Sequence, residues 1–338
     1  MRYKTCELQY LETLSRRTKL TATESAKLFA LENGFKGELQ LDLALQQAQL
    51  PPQLILTDLT LQYHQQVTQL DQLFCLGNTI YLSDAKNYQG HYLFSEHSWS
   101  HNGKKLPHNI FGQIDRAQDI LGCILQENHL DLSVQTNIIF TNPAVQLEIV
   151  DPLAHSCQRI GAYRDYVADL VQQKLPLPQQ SDMRWKKVLQ AYQIPPYHLQ
   201  HDFSRELSHR QLRPGICCSR CQHFDWQESF YSLTCQNCGT VEAKEEAYVR
   251  TICDYGVLFF QHDLKLHDLM HFFGKQAKEN YLLRMLRKHF THRTSPGKKR
   301  SYQNKGAIFQ YLFANQSQYF HHIQQRVNWT QRTQYKNE

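Results

Sequence analysis

Two pairs of cysteines place the tightest constraint on how this chain folds. Cys218 and Cys221 are separated by two residues, as are Cys235 and Cys238, and thirteen residues lie between the pairs. Two such pairs at this separation are typical of a zinc ribbon, in which each pair occupies a tight turn and four thiolates complete a tetrahedron. Four protein ligands leave no position for water, so we expect a structural Zn²⁺ ion.

Two alternatives to this assignment stay open at the sequence level. Cys217 is adjacent to Cys218 and could replace it, which would lengthen the first spacing to three residues. The four cysteines could also be unrelated buried residues, because cysteine behaves as a small hydrophobe. Residues 224–227 and 231–234 alternate as short strands do, which favours a ribbon over residues 215–245.

A second constrained stretch runs from Asp71 to Gly90. Residues 67–75 and 79–85 have the pattern of strands, and Gly77-Asn78 between them fits a two-residue hairpin turn. Asp71 stands where a buried strand would carry an apolar residue. Asp84 and Lys86 point to the same face, because side chains alternate along a strand.

Two acids and a lysine at the ends of neighbouring strands suit the cleavage of a phosphodiester. Such a reaction uses a metal ion to neutralise developing charge and to generate hydroxide. Mg²⁺ prefers oxygen ligands and keeps several waters, so Asp71 and Asp84 could bind it. Lys86 could stabilise the charged phosphorane or position the attacking water.

The elements around this stretch predict a mixed α/β fold. Helices are predicted over residues 1–33, 34–50 and 110–125. The first of these segments contains a capping box at Thr21–Glu24 and ends at a stop signal, Asn33-Gly34. Further strands are predicted at residues 54–61, 90–99, 137–142 and 145–150. Five divisions are predicted. They are an N-terminal helical segment (1–33), an α/β domain with a mixed sheet flanked by helices (34–154), a helical connector (155–214), the zinc ribbon (215–245) and a basic helical C-terminal domain (246–338).

Glu38 has two interpretations. On the predicted helix, Glu38, Leu41, Asp42 and Leu45 share one face. Glu38 would lie in the first turn of that helix, where the helix dipole favours a carboxylate. If the helix packs on the sheet end that carries Asp71, Glu38 would instead add an acid to the candidate site.

Charge is distributed unevenly along the chain, whose formal net charge is +6. From Arg250 onward there are fifteen Lys and Arg against five Asp and Glu, and the rest of the chain is net acidic. A basic C-terminal region could be an ordinary solvated surface. Because it accompanies an acidic site, we favour the interpretation that it binds a polyanionic partner, such as nucleic acid. No apolar run approaches the roughly 18–20 residues of a membrane span, and the N-terminus lacks a signal-peptide core, so we expect a cytoplasmic protein without a membrane partner.

Two short helices are predicted near residues 263–274 and 280–290. Together they fit either a helix-turn-helix or an ordinary helical hairpin. The candidate nucleic-acid contacts are basic residues on the second helix and in the loop that follows it: Arg284, Arg287, Lys288, Lys298, Lys299 and Arg300.

The first half of the chain resembles a known family. The motifs are Gly37-Glu38, Gln69-Leu-Asp71, Tyr81-Leu-Ser-Asp84-Ala-Lys86-Asn87-Tyr88-Gln-Gly90, and Asn109 with Gln113 and Arg116. In order and spacing they resemble the nuclease-related domain (NERD) family over about residues 34–145. That family is similar to the PD-(D/E)XK, or restriction-endonuclease-like, nucleases.

The resemblance implies both a fold and a set of roles. It implies a mixed sheet flanked by helices and a DNA endonuclease that depends on Mg²⁺ or Mn²⁺. It also implies that Asp71 and Asp84 are metal ligands, Lys86 is the catalytic lysine, Glu38 is an accessory acid and Gln113 is a helix-borne active-site residue. The sequence departs from the family pattern at Asp84, where glutamate is more usual, and at Ile110, where proline usually follows the asparagine.

Two hypotheses about function follow. In the first, the chain is a metal-dependent nuclease whose zinc ribbon and basic C-terminal region hold DNA. In the second, the chain has the same fold but is a non-catalytic module that binds nucleic acid or protein. Cleavage of DNA with Mg²⁺ and its loss with a chelator discriminate between the two.

Overall fold

The computed structural model describes residues 2–95, 98–106, 111–152, 155–174, 183–194, 207, 209–260, 262–293 and 300–304. The chain divides into two compact units. The first unit comprises Met1–Arg2 and Phe29–Pro196, and the second comprises Tyr3–Leu28 and Tyr197–Glu338.

Two helices come first along the chain, α1 (Cys6–Arg17) and α2 (Ala22–Gln47). The capping box before α2 is confirmed. The Glu24 carboxylate accepts a hydrogen bond from the Thr21 backbone N–H at 2.8 Å, and the Thr21 hydroxyl accepts one from the Glu24 N–H at 3.2 Å.

The predicted stop at Asn33-Gly34 is wrong, because α2 continues through both residues to Gln47. The cost of one glycine inside a helix is only about 1 kcal/mol. The same helix buries Leu41 and Leu45 completely, and burial of each leucine contributes about 2 kcal/mol. Tertiary packing of the later turns therefore outweighs the local stop signal.

The first unit contains two mixed sheets, which confirms the predicted α/β class. The elements of this unit after α2 are β1 (Ile55–Tyr63), β2 (Gln66–Leu76), β3 (Thr79–Lys86), β4 (Gly90–Ser95), β5 (Ser98–His101), β6 (Lys104–Lys105), α3 (Gly112–Glu127), β7 (Ser133–Phe140), β8 (Val145–Ile149), β9 (Ser156–Arg159), α4 (Ile160–Lys174) and α5 (Arg184–Ala191). The larger sheet has the order β1-β2-β3-β7-β9, and the smaller has the order β6-β5-β4-β8. Helices α2, α3, α4 and α5 pack against the larger sheet.

Strands β1, β2 and β3 pair antiparallel, and β7 and β9 are added in parallel. The predicted two-residue turn joins β2 to β3, with Gly77 in the left-handed region at a φ of 58°. Each face of the larger sheet is covered. One face buries Ile80 and Leu82 of β3 in a core with α3 and α5, and the other buries Tyr81 in a core with α2 and α4.

The second unit contains α1 and a three-stranded antiparallel sheet, β10 (Trp226–Glu228), β11 (Ser232–Cys235) and β12 (Val241–Ala243). Three helices follow it, α6 (Lys244–Leu258), α7 (Leu266–Phe273) and α8 (Glu279–His289). A two-stranded ribbon, β13 (His292–Arg293) and β14 (Ser301–Tyr302), ends the described chain. The guanidinium of Arg17 ties α1 to α6 by an ion pair with Asp254 at 3.3 Å.

The two helices expected near residues 263–274 and 280–290 are present as α7 and α8. Residues 305–338, the last part of the basic helical C-terminal domain that the sequence predicts, lie outside the described residues. Among the described residues, no helix combines the length and apolar character that a bilayer crossing requires.

Candidate active site and candidate metal centre

Asp71 and Asp84 are neighbours across strands β2 and β3. The pairing of these strands reaches Gln72 and Ser83, and Asp71 and Asp84 are the next residues on each strand. The Oδ2 atom of Asp71 accepts a hydrogen bond from the backbone N–H of Ala85 at 2.9 Å. The carboxylate of Asp71 therefore takes the position of a ladder carbonyl and is held against the end of β3.

Asp84 and Lys86 lie on one face of β3, as the alternation predicted. The Nζ atom of Lys86 is 2.6 Å from Oδ2 of Asp84, and the side chains are only 13% and 8% exposed. Parallel pairing with β7 continues to Lys86, which keeps this end of β3 extended. The pair is thus a nearly buried ion pair on a rigid strand.

The site holds more negative than positive charge. Burial, together with the charges of Asp84 and Glu38, raises the pKa of Asp71 to about 7, and the Ala85 N–H and Lys86 oppose the shift. Burial also raises the pKa of Asp84, although Lys86 opposes it. Crowded carboxylates of this kind, with hard oxygen atoms, fit a divalent cation such as Mg²⁺.

Lys86 keeps its positive charge in this environment. Burial alone would lower the pKa of Lys86, but the adjacent Asp84 carboxylate outweighs burial and raises it. Lys86 is therefore suited to donate hydrogen bonds and stabilise negative charge, and it is not suited to accept a proton.

Glu38 does not lie in a first helical turn, because α2 begins at Ala22. The helix-dipole interpretation of Glu38 is therefore wrong. Its carboxylate is instead one of the charges that raise the pKa of Asp71. Among the described residues, only the four ribbon cysteines bring three or more ligand atoms within 4.8 Å of one another, so Glu38 does not form such a cluster with Asp71 and Asp84.

Arg2 is the residue at this site that sequence reasoning missed. Its side chain is 1% exposed. It donates to Glu38 Oε2 at 2.8 Å, to both carboxylate oxygens of Asp42 at 3.0 and 3.1 Å, and to the backbone carbonyl of Asp71 at 2.8 Å. Arg2 thus connects the acidic face of α2 to the strand that carries Asp71. The sequence carries one signal for such a cation. Glu38 and Asp42 lie one helical turn apart beside two buried leucines, and two carboxylates so placed are stabilised by a positive charge nearby.

Replacing Arg2 with alanine is expected to destabilise the protein by about 3 kcal/mol, the lower end of the range for breaking a buried ion pair. The lower end applies because Glu38 and Asp42 keep 24% and 28% exposure. Thermal and urea unfolding would measure the change. Arg164→Ala is the matched control, since Arg164 pairs with Asp165 at the surface and should change little. Equal stabilities of the two variants would contradict this role.

Gly37 and Asn87 explain the close approach of α2 to the site. A Cβ atom on Gly37 would lie 2.9 Å from the Thr141 hydroxyl and 3.0 Å from the Asn87 Cβ, both shorter than normal contacts. Asn87 also donates a hydrogen bond to the Asn33 carbonyl at 2.7 Å. Gly37 and Asn87, which both belong to the sequence motifs, therefore hold α2 close to the end of β3 that carries Asp84 and Lys86.

An aromatic stack begins next to the Asp84–Lys86 pair. The Tyr88 ring stacks on the Tyr92 ring with 5.0 Å between the ring centres, and the Tyr92 ring stacks on the His101 ring with 4.4 Å between the ring centres. Burial raises the pKa of Tyr88, and the charges of Lys86 and Asp84 act on it in opposite directions. The Tyr88 phenol is therefore an electrostatic neighbour of the pair.

Gln113 lies in the first turn of α3 and is exposed, and its side chain makes no hydrogen bond to a described residue. Its role at the site remains a prediction. Arg116, on the same helix, is exposed as well. Asn109 and Ile110 of the same motif lie outside the described residues.

The four predicted cysteines form a candidate metal centre. Their sulfur atoms all lie within 4.8 Å of one another, with Cys218 3.7 Å from Cys238 and Cys221 3.5 Å from Cys235. The tight turns are visible: the N–H of Gly239 donates to the carbonyl of Cys235, with Gly239 at a φ of 69°. This set of four thiols could hold a metal ion such as Zn²⁺.

Cys217 is not part of this cluster. Its side chain is fully buried, and its sulfur lies 3.5 Å from the backbone carbonyl of Gln222. Burial raises the pKa of the Cys217 thiol, so it stays protonated. The structure therefore selects Cys218 over the neighbouring Cys217.

The candidate nucleic-acid contacts differ in their surroundings. Arg284 is exposed and its guanidinium lies 4.5 Å from the centre of the Tyr281 ring. Arg287 and Arg300 are exposed, and Lys288 forms an ion pair with Glu245 at 2.8 Å. Lys298 and Lys299 lie outside the described residues.

Comparison with known proteins gives one match. Residues 33–141 match the family model of the nuclease-related domain. The matched range includes Glu38, Asp71, Asp84, Lys86 and Gln113, and it suggests a nuclease-related function and binding of nucleic acid. Neither the curated proteins nor the solved structures contain a significant match to the chain.

Proposed function

We propose that this chain is a metal-dependent nuclease that hydrolyses phosphodiester bonds in DNA, with a PD-(D/E)XK-type site in its first unit. One observation carries the proposal. The Asp84–Lys86 ion pair near the end of β3 lies next to the Asp71 carboxylate, which stands midway along β2 where the pairing of β2 with β3 stops, inside the range that matches the nuclease-related domain. A carboxylate pair can hold a metal ion for phosphodiester cleavage, and a protonated lysine beside it can stabilise the charge that develops.

Asp71 and Asp84 would hold Mg²⁺ or Mn²⁺. When bound, such an ion neutralises charge on the phosphate and makes water more acidic. The Ala85 N–H fixes Oδ2 of Asp71 and leaves its other carboxylate oxygen for the ion. A cation near Asp84 would weaken the hold of that residue on Lys86.

Lys86 would then act on the substrate. Because its pKa is raised, it carries a positive charge at neutral pH. Its Nζ atom can donate to a phosphate oxygen or to the attacking water, and it stabilises the charge that builds up as the bond breaks. Glu38, held by Arg2 at 2.8 Å, would contribute negative potential and orient water from the α2 side.

The second unit would supply affinity for DNA. In this proposal the four cysteines of that unit hold a structural Zn²⁺ ion. Gln113, which belongs to the first unit, reaches the substrate from α3. Exposed Arg284, Arg287 and Arg300 would contact phosphates, so binding should weaken as salt rises.

Incubation of purified protein with supercoiled plasmid tests the proposal. Nicking or degradation is expected with Mg²⁺ or Mn²⁺ and should stop with EDTA. Labelled single-stranded DNA and RNA in parallel reactions identify the preferred substrate. Salt-sensitive DNA binding without cleavage under any metal condition would reject the enzyme in favour of a non-catalytic binding module.

The raised pKa of Asp71 predicts how Mg²⁺ should change stability with pH. The native value of about 7 lies above the ordinary value of 3.8. The stability contributed by protonated Asp71 is therefore fully present below the ordinary pKa and is lost as pH rises through about 7. A bound cation offsets the resulting repulsion, so Mg²⁺ should raise the Tm more at pH 8 than at pH 6.

Thermal unfolding with and without Mg²⁺ at the two pH values measures this effect. Asp71→Asn removes this titrating carboxylate and one of the two candidate ligands, so it should reduce the Mg²⁺ response at both pH values. An equal rise in Tm at pH 6 and pH 8 in the unmodified protein would show that Asp71 does not bind the ion.

A further inference from the structure

Two histidines on α7 have the geometry of metal ligands. His267 and His271 are one helical turn apart, and their Nε2 atoms are separated by 3.3 Å. Zinc–nitrogen bonds are about 2.0–2.1 Å long, so two nitrogens on a tetrahedral Zn²⁺ ion lie about 3.3–3.4 Å apart. The two rings therefore already hold the separation that a shared ion requires.

Asp268 supports this arrangement from the other side of the His267 ring. Its Oδ1 atom is 3.3 Å from Nδ1 of His267. Histidine ligands in metal sites commonly donate their second N–H to a carboxylate, which fixes the tautomer and leaves the first nitrogen free to bind. A proton on Nδ1 of His267 would be donated to Asp268 and would leave a lone pair on Nε2, the atom that faces His271.

The pair also faces open space that an ion and its waters can occupy. His267 and His271 line an open cavity of about 640 Å³ between α7 and the start of α8. Glu279 and Lys275 also line the cavity; Lys275 opposes a cation, and Glu279 forms no three-ligand cluster with the two histidines. The His267 side chain is 80% exposed, so an ion can reach it directly from solvent.

We propose that His267 and His271 bind a divalent transition-metal ion, with Zn²⁺ favoured by the spacing and with water completing the coordination. This site is separate from the four-cysteine centre and does not depend on the proposed nuclease activity. Its ligands are nitrogen atoms on one exposed helix, so its affinity should be weaker than that of four thiolates.

Metal stoichiometry of the full chain tests the proposal. To remove the other candidate cation site, all titrations use protein that carries Asp71→Asn and Asp84→Asn; this protein is loaded with one equivalent of Zn²⁺ to fill the cysteines and is then titrated with further Zn²⁺ by calorimetry. A second equivalent should bind with micromolar affinity. Co²⁺ titrated in its place should give weak visible bands without the strong near-ultraviolet absorption of cobalt–thiolate bonds.

The double variant His267→Ala and His271→Ala should lose the second equivalent and keep the first, with an unchanged Tm. The matched control, His64→Ala with His129→Ala, removes two exposed imidazoles elsewhere and should keep both equivalents. Retention of the second equivalent by the α7 double variant would overturn the proposal. So would binding only at millimolar Zn²⁺, which would identify an adventitious ion only.

Discussion

Replacement of Lys86 with methionine is expected to lower the rate of DNA cleavage by about 10²- to 10³-fold, the effect of removing one preorganised electrostatic group. Methionine keeps much of the length and apolar volume of the side chain but removes its charge. In the structure that charge lies 2.6 Å from Asp84 and is nearly excluded from solvent. Initial rates of plasmid nicking at saturating Mg²⁺ measure the loss.

The fold of the Lys86→Met protein should survive, although Asp84 loses its partner and should become easier to protonate. Thermal unfolding separates a loss of chemistry from a loss of structure. Lys187→Met, an exposed lysine on α5, is the matched control and should cleave at the normal rate. Normal cleavage by the Lys86 variant would mean that the site lies elsewhere.

The second large effect is expected at the cysteine centre. Cys235→Ser should abolish tight zinc binding at the four-cysteine centre and unfold the three-stranded sheet of the second unit. A structural zinc site contributes about 10–16 kcal/mol of binding free energy, and that energy is folding energy for a small metal-bound module. Strands β10 and β12 have three residues each, so they cannot supply comparable stability on their own.

Elemental analysis of the purified variant measures the zinc, and limited proteolysis reports whether residues 215–245 have opened. Two control variants sharpen the result. Cys123→Ser changes an exposed cysteine on α3, and Cys217→Ser changes the buried neighbour of Cys218. Both should retain one Zn²⁺ per chain. Loss of zinc in Cys217→Ser alone would restore the alternative spacing that the structure excludes.

The local elements of the first unit followed from short-range patterns. Alternating side chains and a two-residue turn predicted β2, β3 and their hairpin, because the period of a strand and the geometry of a tight turn depend on neighbouring residues. The same alternation placed Asp84 and Lys86 on one face. The failure at Asn33-Gly34 has the opposite origin: packing of Leu41 and Leu45 on the sheet extends α2, and that contact is remote in sequence.

The sequence by itself determined the cysteine pairs, the mixed α/β order and the residues that face each other along β3, since each depends on spacing within a few residues. Only the tertiary structure decided which distant groups share the site. It brought Arg2 to within 2.8 Å of Glu38 and of the Asp71 carbonyl, and it selected Cys218 over Cys217. Burial, which exists only after folding, then raised the pKa of Asp71 and Asp84, because removing carboxylates from water and crowding them together penalises their charged forms.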